Sequence, residues 1–268
     1  MNFAEITSRK NEKIIWASKL SDKKTRDKEK VFFTEGAKLL EEVILSGLCI
    51  KRLFFTKKAH DSFGTLLDKA ACDECYLVSD EVYEKITDET SPQGIFACIE
   101  KPDSVVFSDS DIKNGSFIIL EDIQNPQNLG AIFRCAHSLG ASRLMLSSRC
   151  ADVYSPKTLR SSMGSVFKCD FSVCDDLPQF IEKLKSQGND VYCTHLHSKA
   201  KTLGSFDFKP SDSLVIGNEG NGISKQVLDC CTHSVIIPMV KNAESLNAAT
   251  ASSILIWEMN KNKLLPRK

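Results

Sequence analysis

Short apolar runs alternate with amphipathic stretches along the first hundred residues of the chain. The runs are rich in β-branched and aromatic residues, and we predict strands at Val31–Thr34, Ile50–Thr56, Tyr76–Val78 and Ile95–Ile99. Apolar residues at helical spacing predict helices at Asn2–Lys19, Ala37–Leu45, His60–Ala71 and Asp80–Ile86, while the lysine-rich piece Ser21–Lys30 is expected to be a solvated loop. This alternation predicts a small α/β domain over residues 1–101.

A polar stretch with serines and an Asn-Gly pair covers residues 102–115, and we interpret it as an interdomain linker. The alternation then resumes to the end of the chain, which predicts a second α/β domain over 116–268. Its strands are predicted at Ser116–Leu120, Arg143–Ser147, Asp170–Val173 and Asp190–Thr194 and around Leu214 and Val235, with helices at Leu129–Leu139, Ser155–Ser162, Leu177–Gln187, Ser224–Cys231 and Ser245–Lys261. Unbroken apolar strands such as Phe117–Leu120 are typical of a parallel sheet that is covered on both faces.

Composition is that of a soluble globular protein, since 42% of the 268 residues are apolar and 26% are charged. No apolar run of about 18 residues predicts a membrane span, and the first residues lack the form of a signal peptide. Eleven scattered cysteines, an odd number, fit free thiols in a reducing compartment. We therefore expect a cytoplasmic protein without a membrane partner.

Net charge is zero, so the total gives no argument for a nucleic-acid partner. The distribution is uneven, because nine lysines and arginines stand against four acidic residues between Arg9 and Lys30. Such a run is usually a solvated face, and contact with phosphate is the alternative that a nucleic-acid function would favour.

Three loops that follow predicted strands carry the candidate chemistry. One holds Gly217, Gly220 and Gly222, which can expose bare main chain to a ligand, with the carboxylate of Glu219 among them. A second runs from Ile237 to Asn247, and a third leads through Asn128 to Arg134. In parallel sheets ligands bind at the carboxyl ends of strands, so these loops predict one site. Taken alone, Asn128 and Arg134 favour a plainer interpretation, in which Asn128 caps the helix and Arg134 forms a surface ion pair.

Other motifs are weaker. The glycine loop does not complete a dinucleotide fingerprint, because Lys225 occupies the place of its last glycine, and it lacks a Walker lysine. Cys72 and Cys75 form a lone Cys-x-x-Cys, for which we favour ordinary thiols. Alternation along a strand would put Cys193, His195 and His197 on one face, but no carboxylate or further cysteine follows closely, so we predict no metal site.

Taken together, the three loops resemble the ordered motifs of the SpoU/TrmH family of RNA ribose 2′-O-methyltransferases, of the SPOUT class. The motifs are Asn128-x-Gly130 through Arg134, then Ile216–Gly222, then Ile237-Pro238-Met239 through Ser245-Leu246-Asn247, and the resemblance covers about Ser116–Asn260. The front part is similar to the substrate-binding domain of many members, which implies a smaller, L30e-like α/β domain.

The resemblance implies an S-adenosylmethionine (SAM)-dependent enzyme with a deep trefoil knot in its C-terminal domain, acting as a homodimer with the site at the subunit interface. Main chain at Gly217, Ile237 and Leu246 would contact the cofactor, together with Gly222, while Thr194 and Met239 would line its pocket. Small residues at Ala248–Ser253 would let the last helix pack closely against a neighbour.

For catalysis, the resemblance assigns roles to Asn128, Arg134, Glu219, Ser245 and Asn247. Guanidinium is always charged, so we interpret Arg134 as an anchor for phosphate that also stabilises the developing alkoxide, in its own or the partner subunit's site. Asn128 and Glu219 would hold the arginine and the ribose, and Ser245 and Asn247 would bond the hydroxyl.

The predicted function is methyl transfer to a ribose 2′-hydroxyl of structured rRNA or tRNA. Lys23, Lys24 and Arg26 then become candidate phosphate contacts. The alternative is a non-catalytic RNA-binding protein that has kept the fold.

Overall fold

A computed structural model of the chain describes residues 2–195, 200–241 and 245–265, which fall into two compact units. The first unit comprises Met1–Asp103 with Asp152–Phe167, and the second comprises Ser104–Ala151 with Lys168–Lys268. Residues 152–167, which the sequence prediction placed in the C-terminal domain, therefore belong to the N-terminal unit.

The first unit has one five-stranded sheet in the order β1-β4-β3-β5-β2, in which β5 runs antiparallel to β3 and β2. Its strands are β1 (Ala4–Ile6), β2 (Val31–Glu35), β3 (Ile50–Thr56), β4 (Cys72–Val78) and β5 (Ile95–Glu100). Its helices are α1 (Glu12–Ser18), α2 (Lys23–Glu29), α3 (Ala37–Leu45), α4 (Lys57–Lys69) and α5 (Asp80–Tyr83), with α8 (Pro156–Ser162) from the later segment. The predicted small α/β architecture is confirmed.

Two predictions for the N-terminal thirty residues were wrong. We expected one helix over Asn2–Lys19. The structure instead has a short edge strand, β1, which pairs with β4, and then the shorter helix α1. The expected loop Ser21–Lys30 contains α2, whose first turn is capped by Asp22 through a 2.9 Å bond from the Thr25 amide. Charged residues dominate α2, so it lacks the apolar periodicity by which a helix is predicted.

The segment 152–167 packs within the first unit through aromatic rings. The buried ring of Phe32 stacks against Tyr154 at 4.7 Å and against Phe167 at 5.7 Å between ring centroids. The side chain of Asp152 pairs with Arg26, as detailed below. The N-terminal unit is thus completed by residues distant in sequence, a feature that local hydrophobic patterns cannot predict.

The second unit has a seven-stranded sheet in the order β10-β12-β9-β11-β6-β7-β8, and every pairing in it is parallel. Its strands are β6 (Ile118–Leu120), β7 (Arg143–Ser147), β8 (Asp170–Cys174), β9 (Val191–Thr194), β10 (Lys201–Thr202), β11 (Ser213–Ile216) and β12 (His233–Ile236). Its helices are α6 (Asp109–Asn114), α7 (Pro126–Ser138), α9 (Leu177–Ser186), α10 (Lys225–Cys230) and α11 (Ala248–Leu264). This confirms the predicted parallel sheet, while α6 lies in the segment expected to be a linker.

Helices cover this sheet. One buried cluster joins Phe117 and Ile119 of the sheet region to Ile181 of α9 and Val227 of α10. The helices α7 and α11 pack together, and the Asn260 side chain of α11 donates a 2.9 Å hydrogen bond to the Leu139 carbonyl that follows α7. Within the part of the chain that the structure describes, no helix is both long and apolar enough to span a membrane.

Candidate active site at the carboxyl edge of the second sheet

The strand order places the candidate loops side by side. Ile216, which ends β11, pairs with Leu120, which ends β6, and Leu120 pairs in turn with Leu146 of β7. On the other side of β11 lies β9, followed by β12, so that Thr194 pairs with Val235. The loops after β12, β9, β11, β6 and β7 consequently open, in this order, along one edge.

The helix α7 begins earlier than the sequence predicted. Asn125 caps it, accepting hydrogen bonds from the amides of Gln127 at 2.8 Å and Asn128 at 3.4 Å, and Pro126 occupies the first turn. Asn128 therefore lies inside the first turn of the helix and is buried. The alternative in which Asn128 is the cap is wrong, and its side chain makes its hydrogen bonds outside the helix.

Asn128 is the centre of a side-chain chain that joins all three motifs. Its Nδ2 donates to Glu219 Oε1 at 2.9 Å, and its Oδ1 accepts from Asn247 Nδ2 at 2.9 Å. Asn247 in turn caps α11 by accepting from the Ala249 amide at 2.9 Å. These bonds fix the amide orientation of Asn128, because the carboxylate of Glu219 can only accept a hydrogen bond from it.

Glu219 is held in its ionised form. Burial opposes ionisation and is the largest single influence, but hydrogen bonds from the Asn128 side chain and from backbone amides outweigh it, so the pKa of Glu219 lies below its ordinary value of 4.5. Two of these amides belong to Gln124 and Asn125, each 3.2 Å from a carboxylate oxygen. At neutral pH the site thus contains a fixed negative charge.

The glycine loop is closed on itself. Asn218 and Gly222 exchange two backbone hydrogen bonds of 2.9 Å, and the Asn218 side chain accepts from the amides of Gly220 and Asn221. A Cβ atom on Gly217 would lie 2.5 Å from the carbonyl carbon of Gly222, so only glycine fits there. The tight loop presents Glu219 at its tip.

The residues predicted to hold the cofactor flank this loop. Thr194 is half-buried at the end of β9, and its hydroxyl lies 3.5 Å from the Val215 carbonyl oxygen. Ile237 is half-buried after β12, whereas the apolar side chains of Met239 and Leu246 are exposed. Ser245 is exposed as well. Solvent-facing apolar side chains beside a polar network are what a ligand with an apolar ring system requires.

Arg134 stands apart from this network. Its side chain is exposed on α7 and makes no hydrogen bond or ion pair with any residue that the structure describes, so the surface ion pair considered from the sequence is absent there. Within this subunit Asn128 and Glu219 bond to each other, and neither bonds to Arg134. Their predicted role of holding an arginine and the ribose stays a prediction. The guanidinium donors of Arg134 remain available to a ligand or to another subunit.

The predicted RNA contacts divide into two groups. Lys23 and Lys24 are exposed on α2 and available to phosphate. Arg26 is only 2% exposed, and its guanidinium donates to the carbonyls of Leu20 and Ser21 and, at 2.5 Å, to Asp152 Oδ2. The assignment of Arg26 to RNA was wrong, because a guanidinium that is buried and bonded through both terminal nitrogens to the protein cannot reach a phosphate.

We expect Arg26→Ala to lower the free energy of unfolding by about 3–5 kcal/mol, since it leaves the Asp152 carboxylate without its buried partner. Chemical denaturation of the full chain measures this loss. Lys24→Ala, on the same helix but exposed, is the matched control and should change stability by less than about 0.5 kcal/mol. Equal stability of the two variants would contradict a structural role for Arg26.

Asn125, Asn218 and Asp122 were missed by the sequence analysis. An Asn-Pro pair before a helix is a cap signal that could have identified Asn125. The left-handed backbone of Asp122, with φ of 55°, had no such signal. No group of three potential metal ligands occurs among the described residues, and His197 of the weighed Cys193–His195–His197 set lies outside them.

Models of two protein families match this chain. Residues 115–257 match the SpoU rRNA Methylase family, and residues 11–97 match the MRM3-like substrate binding domain. The chain is 31% identical to the 23S rRNA (guanosine(2553)-2′-O)-methyltransferase of Bacillus subtilis (strain 168), covering 95% of this chain and 98% of that protein. A 23S rRNA (uridine(2479)-2′-O)-methyltransferase of Streptomyces viridochromogenes is 26% identical, covering 98% of this chain and 93% of the relative.

Solved structures of rRNA methyltransferases have a fold similar to that of this chain. An rRNA methyltransferase from Sinorhizobium meliloti superposes with a TM-score of 0.84 at 27% identity, covering 99% of this chain and 100% of that one. A structure of AdoMet bound rRNA methyltransferase from the same organism also gives a TM-score of 0.84 at 27% identity, covering 98% of this chain and 99% of that one. With its three motifs joined at one edge of a parallel sheet and both parts of the chain matched, this protein belongs to the SpoU rRNA methylase family.

Proposed function

We propose that this chain transfers the methyl group of SAM to a ribose 2′-hydroxyl of rRNA or tRNA. The observation that carries the proposal is the hydrogen-bonded chain Glu219–Asn128–Asn247, which unites three separate loops at the carboxyl edge. A protein that only bound RNA would have no need for a buried asparagine oriented by an ionised glutamate beside open apolar side chains. The family relatives named above are methyltransferases of this kind.

The residues present fit SAM. Exposed Met239 and Leu246 offer apolar surface to the adenine ring, and the main chain of Gly217, Ile237 and Leu246 offers backbone donors and acceptors. Gly222, whose amide and carbonyl bond to Asn218, holds the loop closed beside them. Thr194, at the end of β9, would line the cofactor pocket. When bound, SAM supplies an electrophilic methyl group on a sulfonium.

The acceptor hydroxyl is placed by the amide and hydroxyl groups of Asn247 and Ser245. Positioning of the two reactants can supply about 7–11 kcal/mol of the barrier reduction in favourable cases. Glu219 is a poor general base, because its pKa is lowered by its hydrogen bonds. Arg134 cannot take the proton either, and it acts by anchoring phosphate and donating hydrogen bonds to the oxygen as negative charge develops. As the bond from the hydroxyl oxygen to the methyl carbon forms, the bond from that carbon to the sulfonium sulfur breaks, and the hydroxyl proton passes to solvent water.

Arg134 acts in the site of a second copy of the chain. The proposal is supported by its exposure and by the lack of any bond between it and the Glu219–Asn128–Asn247 chain within the part of the subunit that is described. Exposed Ile254 and Trp257 on α11 give such a homodimer an apolar contact surface. The proposal also includes a deep trefoil knot in the C-terminal domain. It includes a cytoplasmic location as well, which is supported by eleven cysteines that form no disulfide.

The N-terminal domain binds the RNA substrate, with Lys23 and Lys24 as phosphate contacts. The division predicted from the sequence, with residues 1–101 for RNA binding, 102–115 as a linker and 116–268 for methyl transfer, is kept with one change. Residues 152–167 belong to the compact unit that is proposed to bind RNA. The assignment of RNA binding to this unit is supported by the substrate-binding match at residues 11–97.

Calorimetry with SAM and a methyl-transfer assay on rRNA and tRNA from a strain lacking the gene test the function. We expect SAM binding and one new 2′-O-methyl mark, mapped at nucleotide resolution. Binding of RNA without binding of SAM would identify a non-catalytic protein instead. A methyl group found on a base would overturn the ribose assignment.

A further inference from the structure

Arg149 is an exposed cation held at the carboxyl edge of the second sheet. It follows β7, its side chain is 75% exposed, and its Nη2 lies 2.9 Å from Asp122 Oδ2. Surface ion pairs contribute only about 0–1 kcal/mol to the free energy of unfolding, so the ion pair of Arg149 with Asp122 adds little to the stability of the fold. Asp122 is different from an ordinary surface partner, because its side chain is only 16% exposed.

Three hydrogen bonds to Ser147 and Asn218 fix Asp122. Its amide donates to Ser147 Oγ at 2.9 Å, and the same hydroxyl donates to Asp122 Oδ1 at 2.7 Å. Its carbonyl accepts from Asn218 Nδ2 at 2.7 Å, which ties it to the glycine loop. Its φ of 55° is a left-handed conformation that non-glycine residues seldom adopt and that often marks functional sites. The carboxylate that orients Arg149 is therefore rigidly connected to the site.

The strand order shows which loops lie next to the loop that carries Arg149. Proposed cofactor residues follow β12, β9 and β11. Of the proposed ribose residues, Ser245 and Asn247 follow β12, while Glu219 follows β11 and Asn128 follows β6. The loop after β7 is next in line, because Leu146 pairs with Leu120. Arg149 consequently lies next to the loop that leads into Asn128, on the side away from the proposed cofactor residues after β9 and β12.

We propose that Arg149, oriented by Asp122, binds a backbone phosphate of the RNA strand that carries the target ribose. The inference rests on the proposed function and adds a substrate-binding residue to it. Guanidinium has five donors in a rigid fork, and the bond to Asp122 leaves most of them for a phosphate. Asp122 is a positioning residue, which lowers the entropy lost when Arg149 engages the RNA.

A phosphate contact predicts a specific kinetic signature. It positions the RNA without reading its sequence, and it is made equally in the ground state and the transition state. Arg149→Ala should therefore raise KM for RNA on the order of tenfold, with kcat at saturating RNA retained. The slope of log affinity against log salt should fall by about one, and SAM affinity measured by calorimetry should not change.

Asp122→Asn tests the positioning role. Asparagine tolerates the left-handed backbone and can keep the bond to Ser147, but it removes the charge that holds Arg149. We expect a smaller rise in KM than for Arg149→Ala, and a double variant no weaker in RNA binding than Arg149→Ala alone. Additive effects of the two substitutions would contradict the coupling.

Lys209→Ala is the matched control. Lys209 is also an exposed cation, with 67% of its side chain accessible, and it pairs with Asp190 at 2.7 Å. Asp190 precedes β9, so this pair lies at the amino edge of the same sheet, away from the site. We expect its KM and salt slope to match the wild-type values, with thermal unfolding confirming that all variants fold.

Unchanged KM and salt slope in Arg149→Ala, or an equal effect of Lys209→Ala, would overturn the inference. Methyl transfer by the wild-type protein in the same experiment would still support the proposed function. A wild-type protein that neither binds SAM nor methylates RNA would remove both. A kcat loss in Arg149→Ala without a change in KM would also contradict a phosphate contact.

Discussion

Arg134→Ala is expected to lower kcat for methyl transfer by about 10²–10³-fold, the usual cost of removing one donor that stabilises a developing oxyanion. SAM affinity should stay at the wild-type value, because the residues proposed to hold SAM lie in the loops after β9, β11 and β12. RNA affinity should fall as well, since the guanidinium also anchors phosphate. Single-turnover kinetics at saturating SAM, with separate binding measurements for each substrate, resolve these effects.

Arg134→Lys serves as the control for charge. It keeps the cation but loses the planar fork, so RNA affinity should recover more than kcat does. Substantial methyl transfer by Arg134→Ala together with unchanged RNA affinity would refute the role given to this residue.

Mixed dimers decide whose site Arg134 serves. A subunit carrying Asn128→Ala still supplies Arg134, and a subunit carrying Arg134→Ala still supplies the Glu219–Asn128–Asn247 chain. If Arg134 acts across the interface, co-purified heterodimers contain one complete site, and mixing restores activity that neither variant has alone. Mixtures as inactive as the parent variants would place Arg134 in the site of its own subunit.

The architecture near the site could be predicted because it follows from local patterns. Unbroken apolar strands predicted a parallel sheet, and the predicted bounds of β3 and β7 agree with the structure. Loops rich in glycine and asparagine at adjacent strand ends indicated one site, which the bonds among Glu219, Asn128 and Asn247 now describe. Sequence position alone could not reveal that these side chains bond to one another.

What could not be predicted depends on contacts between distant residues. Arg26 lies in a run of lysines, and only the fold brings Asp152, which is 126 positions away, to its guanidinium. The edge strand β1 is three residues long and exists because β4 offers it a partner. The left-handed turn at Asp122 likewise depends on Ser147 and Asn218, neither of which is near it in sequence.

Gly217→Ala is expected to disable the site by moving backbone. The added Cβ would lie 2.5 Å from the carbonyl carbon of Gly222 and 2.6 Å from its oxygen, and main-chain atoms cannot swing aside as a flexible side chain can. The two hydrogen bonds between Asn218 and Gly222 must then distort, and Glu219 at the tip of the loop moves away from Asn128. Overpacking of this kind costs about 1–3 kcal/mol of stability.

Gly220→Ala, in the same loop, isolates this effect. Among the residues that the structure describes, a Cβ at Gly220 would meet only Asn218 Oδ1 at 3.6 Å, an ordinary contact, and the φ of Gly220 is not positive. Thermal unfolding and calorimetry with SAM on both variants should therefore separate them, with SAM affinity falling on the order of tenfold or more for Gly217→Ala, as 1.4 kcal/mol corresponds to tenfold, and near wild type for Gly220→Ala. If both alanine variants bound SAM alike, the tight closure of the loop on Gly222 would not be what shapes the cofactor site. If Gly217→Ala lost stability but kept SAM affinity, the closure of the loop would stabilise the fold without shaping the cofactor site.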